Sequence, residues 1–304
     1  MSFTVVLAFS VNLLVALAKT AAALITGSAS MLAEAAHSWA DTGNQAFLFV
    51  AERKSAKPRD AAHPMGYGRE AYVWSMFAAF GLFTAGSVVS ITHGAQQLLA
   101  PEPATNFALA YMVLGAAFIL EGVSFAQALR QARAEARKQD RPVLDQVLNS
   151  SDTTTRAVFA EDGAALAGVV LASAGILLHQ LTGSAAPDAV GSILVGILLG
   201  IVAVVLIQKN RQFLVGQAVT PALRKAAALR LMDYKEVARL TYLHLEYVGP
   251  RKLYLVAAVD LAGNLPESDV ARRLRTIEGR LEEHEAVEEA VLTLSTADDP
   301  SLAF

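Results

Sequence analysis

Residues 72–92, YVWSMFAAFGLFTAGSVVSIT, hold no charged side chain. A helix of roughly 20 apolar residues spans a bilayer core about 30 Å thick. Five other stretches reach that length, at about 3–25, 30–50, 107–129, 157–178 and 188–207. In lipid each backbone N–H and C=O must bond within the protein, which leaves helices or closed barrels as spanning forms. Hydrophobic residues make up 54% of the chain, above the usual range for a soluble domain. The expectation is a polytopic α-helical membrane protein with six transmembrane helices.

The connecting segments alternate in charge. Arg53, Lys54, Lys57, Arg59 and Arg69 lie between the second and third spans. Arg130, Arg133, Arg137, Lys138, Arg141 and Arg156 lie between the fourth and fifth, and Lys209 and Arg211 follow the sixth. The other three connections (TGSAS, the stretch around LLAPEPATN, and QLTGSAAPD) carry no Lys or Arg. Basic residues stay on the cytoplasmic side, so both termini and both basic loops are expected in the cytosol, with a bacterial inner membrane as the expected location. The start, MSFTVVLAFS, has no basic n-region and is not read as a cleaved signal peptide. A net charge of −3 gives no reason to expect nucleic acid. The chain has no cysteine, so any metal must sit on His, carboxylate or backbone oxygen.

Beyond about residue 210 the apolar runs shorten and charges intersperse, which divides the chain into a membrane domain, 1–210, and a cytosolic domain, 211–304. PALRKAAALRLMD (221–233) reads as helix, and ARLTYLHLEYV (238–248) alternates with period two. KLYLVAAVDL (252–261) pairs with it after the turn signal GPR. A second helix begins near Pro266 with Val270, Leu274, Ile277 and Leu281 as its apolar stripe, and AVEEAVLTLS (286–295) closes the sheet. That order, αββαβ, suits a ferredoxin-like α+β domain with its helices on one face. About 90 residues bury only a modest core, and a homodimer would add to it.

Charged groups inside the bilayer cost roughly 2.5–3.5 kcal/mol each on insertion scales and usually face the bundle interior. Glu34, His37 and Asp41 follow one another at spacings of three and four, so they share one helix face. Imidazole and carboxylate at this spacing can reach one divalent cation. The fifth span adds Glu161 and Asp162, which point about 100° apart, so both are not expected on one ion. The bland alternative is that these groups only pair with one another between helices. Lys19 and Glu121 each read as half of an interhelical ion pair; Glu121 with Ser124 reads alternatively as the lining of an aqueous path. His93 and His179 read as headgroup-level residues. Gly196 with Gly200, and Ala164 with Gly168, make small-xxx-small steps that let helices approach closely and offer a weak dimer face.

Taken together, HSWADTGNQAFL, HPMGYGREAY and VFAEDGAALAG, set among six spans and followed by an αββαβ tail, resemble the cation diffusion facilitators, and among them the zinc transporter 9-like branch. The resemblance covers nearly the whole chain. It implies transport rather than enzymatic chemistry, and a transport site with two ligands on span two and two on span five, four residues apart in each pair. His37 and Asp41 match the first pair. Asp162 matches one member of the second, but its companion position is Val158, which has no donor atom; Glu161, Glu34 or water are the candidates for the fourth place. The resemblance further implies a loop metal site, for which Asp60 and His63 match while Tyr67 stands in place of a second His. The last strand, VLTLST, offers no His of the kind that many relatives use for zinc in the tail. His244 reads as a half-exposed sheet residue, and EEHEAVEE (282–289), five Glu around His284, as a solvated helix end.

The implied function is proton-coupled efflux of a divalent cation, most readily Zn²⁺, with H⁺ as counter-ion. Ligands must be deprotonated to bind metal, and an imidazole, whose ordinary titration lies near neutrality, is the natural exchanger. The alternative is a non-transporting partner or sensor of the same fold, supported by Val158. A metal-dependent hydrolase is disfavoured, because no nucleophile or substrate-pocket signature accompanies the acidic groups.

Overall fold

A computed structural model describes residues 3–138 and 141–303. The first two residues of the N-terminal stretch discussed above, the pair 139–140 and the last residue lie outside them. The first two apolar stretches fold as α1 (Phe3–Thr26) and α2 (Ala29–Ser55). The third is not one regular helix. It runs as α3 (Glu70–Ala78), a π-helical turn (Ala79–Phe83) and α4 (Thr84–Leu99). A π turn inserts a residue into the α register and re-aims every side chain after it; no periodicity argument on an all-apolar run reveals that.

The fourth stretch, α5 (Phe107–Lys138), outruns its apolar part. ALRQARAEARK is built from strong helix formers, so the helix continues through Arg130, Arg133 and Arg137 instead of opening into a loop. After α6 (Val143–Leu148), Asp152 caps α7 (Thr153–Thr182) by accepting from the N–H groups of Thr154 and Thr155. Arg156 therefore lies in the first turn of α7 and not in a free basic loop. It is buried, and its guanidinium donates to Ser150 O at 2.7 Å and to Asn210 Oδ1. Gly183, at φ +70°, ends α7 in the left-handed region, and α8 (Ala186–Val215) follows.

Five helical stretches among the described residues are long and apolar enough to cross a membrane: within α1, from α3 through α4, and in α5, α7 and α8. Helix α2 is not one of them. Its 27 residues rise roughly 40 Å, but Glu34, His37, Asp41 and Asn44 make it too polar to qualify on composition, and three of those four are buried.

The chain divides into two compact units. One takes in the helices just described, up to Glu52 and over Val73–Arg211; the other joins Arg53–Tyr72 to everything from Gln212 onward. In the second unit α9 (Pro221–Met232) precedes β1 (Val237–Gly249) and β2 (Lys252–Leu261), which pair antiparallel. Helix α10 (Glu267–Glu282) then crosses to β3 (Val287–Leu294), which lies parallel to β2, giving the order β1-β2-β3. Alternate residues of β2, from Leu253 to Leu261, are buried, as a half-covered sheet requires. Leu231, Leu243, Leu255, Val259, Ile277 and Leu292 are among the residues of its core.

The segment Arg53–Tyr72 is held against this sheet. Arg69 Nη2 lies 2.6 Å from Glu246 Oε1 on β1. A Cβ on Gly68 would fall 2.6 Å from Val248 O, so that backbone approach requires glycine. The Tyr72 ring stacks on Phe213 at 5.1 Å. The stretch HPMGYGREA is thus part of the sheet unit.

Candidate functional site

Helix α2 carries the polar face, and its start is fixed from another helix. Ser28 Oγ accepts from Met31 N–H, a local N-cap. Asp188 of α8, fully buried, accepts from Ser28 Oγ (2.9 Å), Ala29 N–H (2.9 Å) and Ser30 N–H (3.2 Å). A carboxylate at a helix N-terminus satisfies orphan donors and opposes the positive end of the dipole. His179 Nδ1 is 4.0 Å from Asp188 Oδ2 and its ring meets Phe107 edge-on at 5.5 Å. His179 is buried against its neighbours in the bundle. Trp39 Nε1 donates to Thr20 Oγ1 at 3.0 Å and ties α2 to α1.

Along α2, Glu34, His37, Asp41 and Asn44 form one continuous stripe at helical spacing. His37 Nε2 lies 3.6 Å from Asp41 Oδ1. Neither ring nitrogen of His37 has a hydrogen-bond partner, nor does Asp41 Oδ1, although all three atoms are buried. Buried polar atoms are nearly always paired, with protein or with ordered water, so these three atoms hold unused hydrogen-bonding or ligating capacity.

Helix α7 faces this stripe with small residues. Glu161, Ala164, Gly168, Ala172 and Gly175 are buried along one side. A Cβ on Gly168 would collide with Glu34 Oε1 and lie 3.5 Å from His37 Nδ1, and one on Gly175 would lie 3.1 Å from Ser30 Oγ. The Ala164/Gly168 step is therefore an internal α2–α7 contact. Gly196 and Gly200 likewise pack against Ser87 of α4, whose Oγ donates to Gly196 O at 2.7 Å. Both steps are thus used within the chain.

The two acids of α7 diverge as their spacing demands. Glu161 turns to α2 and accepts from Asn44 Nδ2; Asp162 turns to α5 and accepts from Ser124 Oγ at 2.6 Å. Val158, one turn before Asp162, is half-buried and contributes no donor atom. Asn44 was not singled out from sequence, though it extends the 34/37/41 spacing by one further step of three. Glu34 is engaged elsewhere: Lys19 Nζ of α1 sits 2.8 Å from Glu34 Oε2 and 2.9 Å from Glu121 Oε1 of α5. Among the described residues no three His or acidic side chains are gathered closely enough to hold one ion.

In the loop, Asp60 accepts from Tyr67 Oη (2.8 Å) and from the N–H groups of His63 (2.8 Å) and Ala62 (3.0 Å). The Tyr67 ring lies on His63 with centroids 4.0 Å apart. The Tyr67 hydroxyl, and after it the His63 N–H, holds the Asp60 carboxyl below the usual carboxylate range, and the same bond pushes the Tyr67 phenol up. Asp60 and His63 are adjacent, with Nδ1 3.5 Å from Oδ1, but both are turned to Tyr67. On β1, half-buried His244 has Nε2 3.6 Å from Glu246 Oε2. Within EEHEAVEE, Glu282 accepts from Ala290 N–H, His284 Nδ1 accepts from Ala286 N–H, and Glu288 pairs with Lys252, so the segment is a structured turn into β3.

The family model described as the cation efflux transmembrane domain matches residues 5–215. The chain belongs to the cation efflux family. Membership and the apolar helices together make this cation efflux protein an integral membrane protein of a transporter family. It is 36% identical to metal tolerance protein C4 of Arabidopsis thaliana over 80% of its own length and 53% of that protein's. It is 34% identical to the mitochondrial proton-coupled zinc antiporter SLC30A9 of Homo sapiens, over 84% of this chain and 43% of the antiporter. The chain thus spans about half the length of these two relatives. An uncharacterized transporter of Methanocaldococcus jannaschii is 22% identical over 94% of this chain and 95% of its own.

Proposed function

We propose that this cation efflux protein exports divalent metal cations, Zn²⁺ foremost, from the cytosol in exchange for protons. The observation that carries this reading is the pair His37 and Asp41 on α2: His37 is buried against Gly168 of α7, and both of its nitrogens and Asp41 Oδ1 are buried without a hydrogen-bond partner. In the proposed cycle His37 supplies a neutral nitrogen, and Asp41 and Asp162 supply anionic oxygens, a donor set suited to a borderline metal. Glu161 stands on the same side of α7 as Gly168 and offers the fourth place that Val158 leaves empty. Loading exchanges the hydrogen bonds of Ser124 and Asn44 for metal and releases protons from the ligands. The relatives named for zinc and proton coupling support the choice of ion and counter-ion.

The wider arrangement belongs to the same proposal. Helix α2 is the sixth span, both termini lie in the cytosol of a bacterial inner membrane, and the αββαβ unit over 211–304 is a ferredoxin-like domain that pairs two protomers. The deciding experiment is Zn²⁺ flux in proteoliposomes under an imposed pH gradient. Asp41→Ala and Asp162→Ala are expected to abolish flux, and His37→Asp to shift selectivity toward harder cations while transport persists. Wild-type-like flux in either alanine variant would refute the assignment.

Val158 favours one second reading, a binding or sensing subunit without transport. Equilibrium Zn²⁺ binding by the wild type with no flux at any gradient selects it.

A further inference from the structure

Lys19 is the only lysine on α1 and is completely buried, yet its ammonium does not touch the His37/Asp41 pair. It lies between two carboxylates from two other helices, Glu34 Oε2 at 2.8 Å and Glu121 Oε1 at 2.9 Å. The second oxygen of each acid, Glu34 Oε1 and Glu121 Oε2, is buried with no hydrogen-bond partner. Glu34 can sit there because residue 168 is glycine, since a Cβ at that position would collide with Oε1. A simple interhelical ion pair needs one acid per base. Here two acids converge on one cation and still hold unused acceptor capacity.

We infer that Glu34 and Glu121 form a second intramembrane cation site, of a size for a primary ammonium group, and that Lys19 is its tethered occupant. Glu34 is fully buried and Glu121 largely so, and carboxylates held there without a cation are strongly disfavoured; a covalently attached ammonium offsets this without recruiting an ion from solution. Glu34 lies about one helical turn along α2 from His37. Permanent occupation by Lys19 separates the Glu34/Glu121 site from the His37/Asp41 pair, which among the described residues has no tethered cation of its own. This assignment goes beyond the transport reading and does not depend on it: it concerns how the bundle is neutralised, whether or not metal moves.

The test replaces the tether. Lys19→Ala removes three methylenes and the ammonium, which together are n-propylammonium. In the full-length, detergent-solubilised protein Lys19→Ala is expected to lower the thermal unfolding midpoint by roughly 10 °C. n-Propylammonium is expected to restore most of that loss saturably, n-propanol to restore none of it, and the wild type to respond to neither. Adding Glu121→Gln to Lys19→Ala should abolish the ammonium response. Equal rescue by ammonium and alcohol, or no rescue by the ammonium, overturns the inference and leaves Lys19 a packing and pairing residue. Should Lys19→Ala not survive extraction, recovery of folded protein in the presence of propylammonium, and not of propanol, is the expected result; failure with both overturns it.

Discussion

His37 illustrates how much a single residue's surroundings decide. On sequence it is one of several His in apolar company; in the bundle it is buried with both nitrogens unpartnered, 3.6 Å from Asp41. Gly168 makes that possible by leaving the space that Glu34 Oε1 and His37 Nδ1 face. Gly168→Ala is expected to overpack the α2–α7 contact and to cost about 1–3 kcal/mol, read as a lower unfolding midpoint in detergent. An unchanged midpoint would mean the helices part freely there. Tyr67 offers a second residue-scale measurement. Its phenol pKa is raised by the bond to Asp60, so the bond's contribution is present below about pH 10, the ordinary tyrosine value, and is lost as pH rises through the raised value. Asp60 is depressed, so its contribution holds above about pH 4, the ordinary carboxylate value, and fades as pH falls through the depressed one. The ultraviolet titration of wild type minus Tyr67→Phe should therefore show a midpoint above 10, and Asp60→Asn should bring it back toward 10.

Among the elements, α2 is the one whose stability cannot come from burial of apolar surface alone, because its inner face is polar. It is fastened at its N-terminus by Asp188, midway by Trp39 to Thr20, and further along by Asn44 to Glu161. The first of these is the strongest, since three donors meet one carboxylate. Asp188→Ala is expected to destabilise the bundle by about 3 kcal/mol, and to loosen α2 before other helices in hydrogen exchange. Exchange that rises uniformly, with no preference for the first turns of α2, would argue against a local fastening. The π turn at Ala79–Phe83 shows the complementary case, in which an apolar run of ideal length is not a uniform helix.

For the whole molecule, the loop Arg53–Tyr72 matters because it leaves the end of α2 and returns as α3 while resting on the sheet unit. The proposed dimer and orientation are tested at this scale. Light scattering of the detergent-solubilised chain should give a protein mass of two protomers, and a monomer would count against pairing through the sheet unit. Because the chain has no cysteine, single cysteines placed in TGSAS and near Arg59 can be labelled selectively in intact cells. The first should react with an impermeant reagent and the second should not; the reverse would invert the proposed orientation.

Where one physical term dominates, the chain's order of residues was enough to read the architecture. Bilayer length picked out the five apolar helical stretches, together with 30–50, where α2 is too polar to qualify; period-two alternation marked β1 and β2, and turn chemistry joined them. The conjunction of HSWAD, HPMGYGREA and VFAEDG led to the family that the comparison of residues 5–215 then showed. Partnerships between distant residues were decided only in three dimensions. Glu34 and Glu121 meet on Lys19, Asn44 reaches Glu161, Arg156 is buried against Asn210, and Gly68 lies against Gly249. The reason is that hydropathy and periodicity are sums over neighbours along the chain, whereas a buried charge or a close backbone approach depends on which helix, strand or loop happens to face it across space.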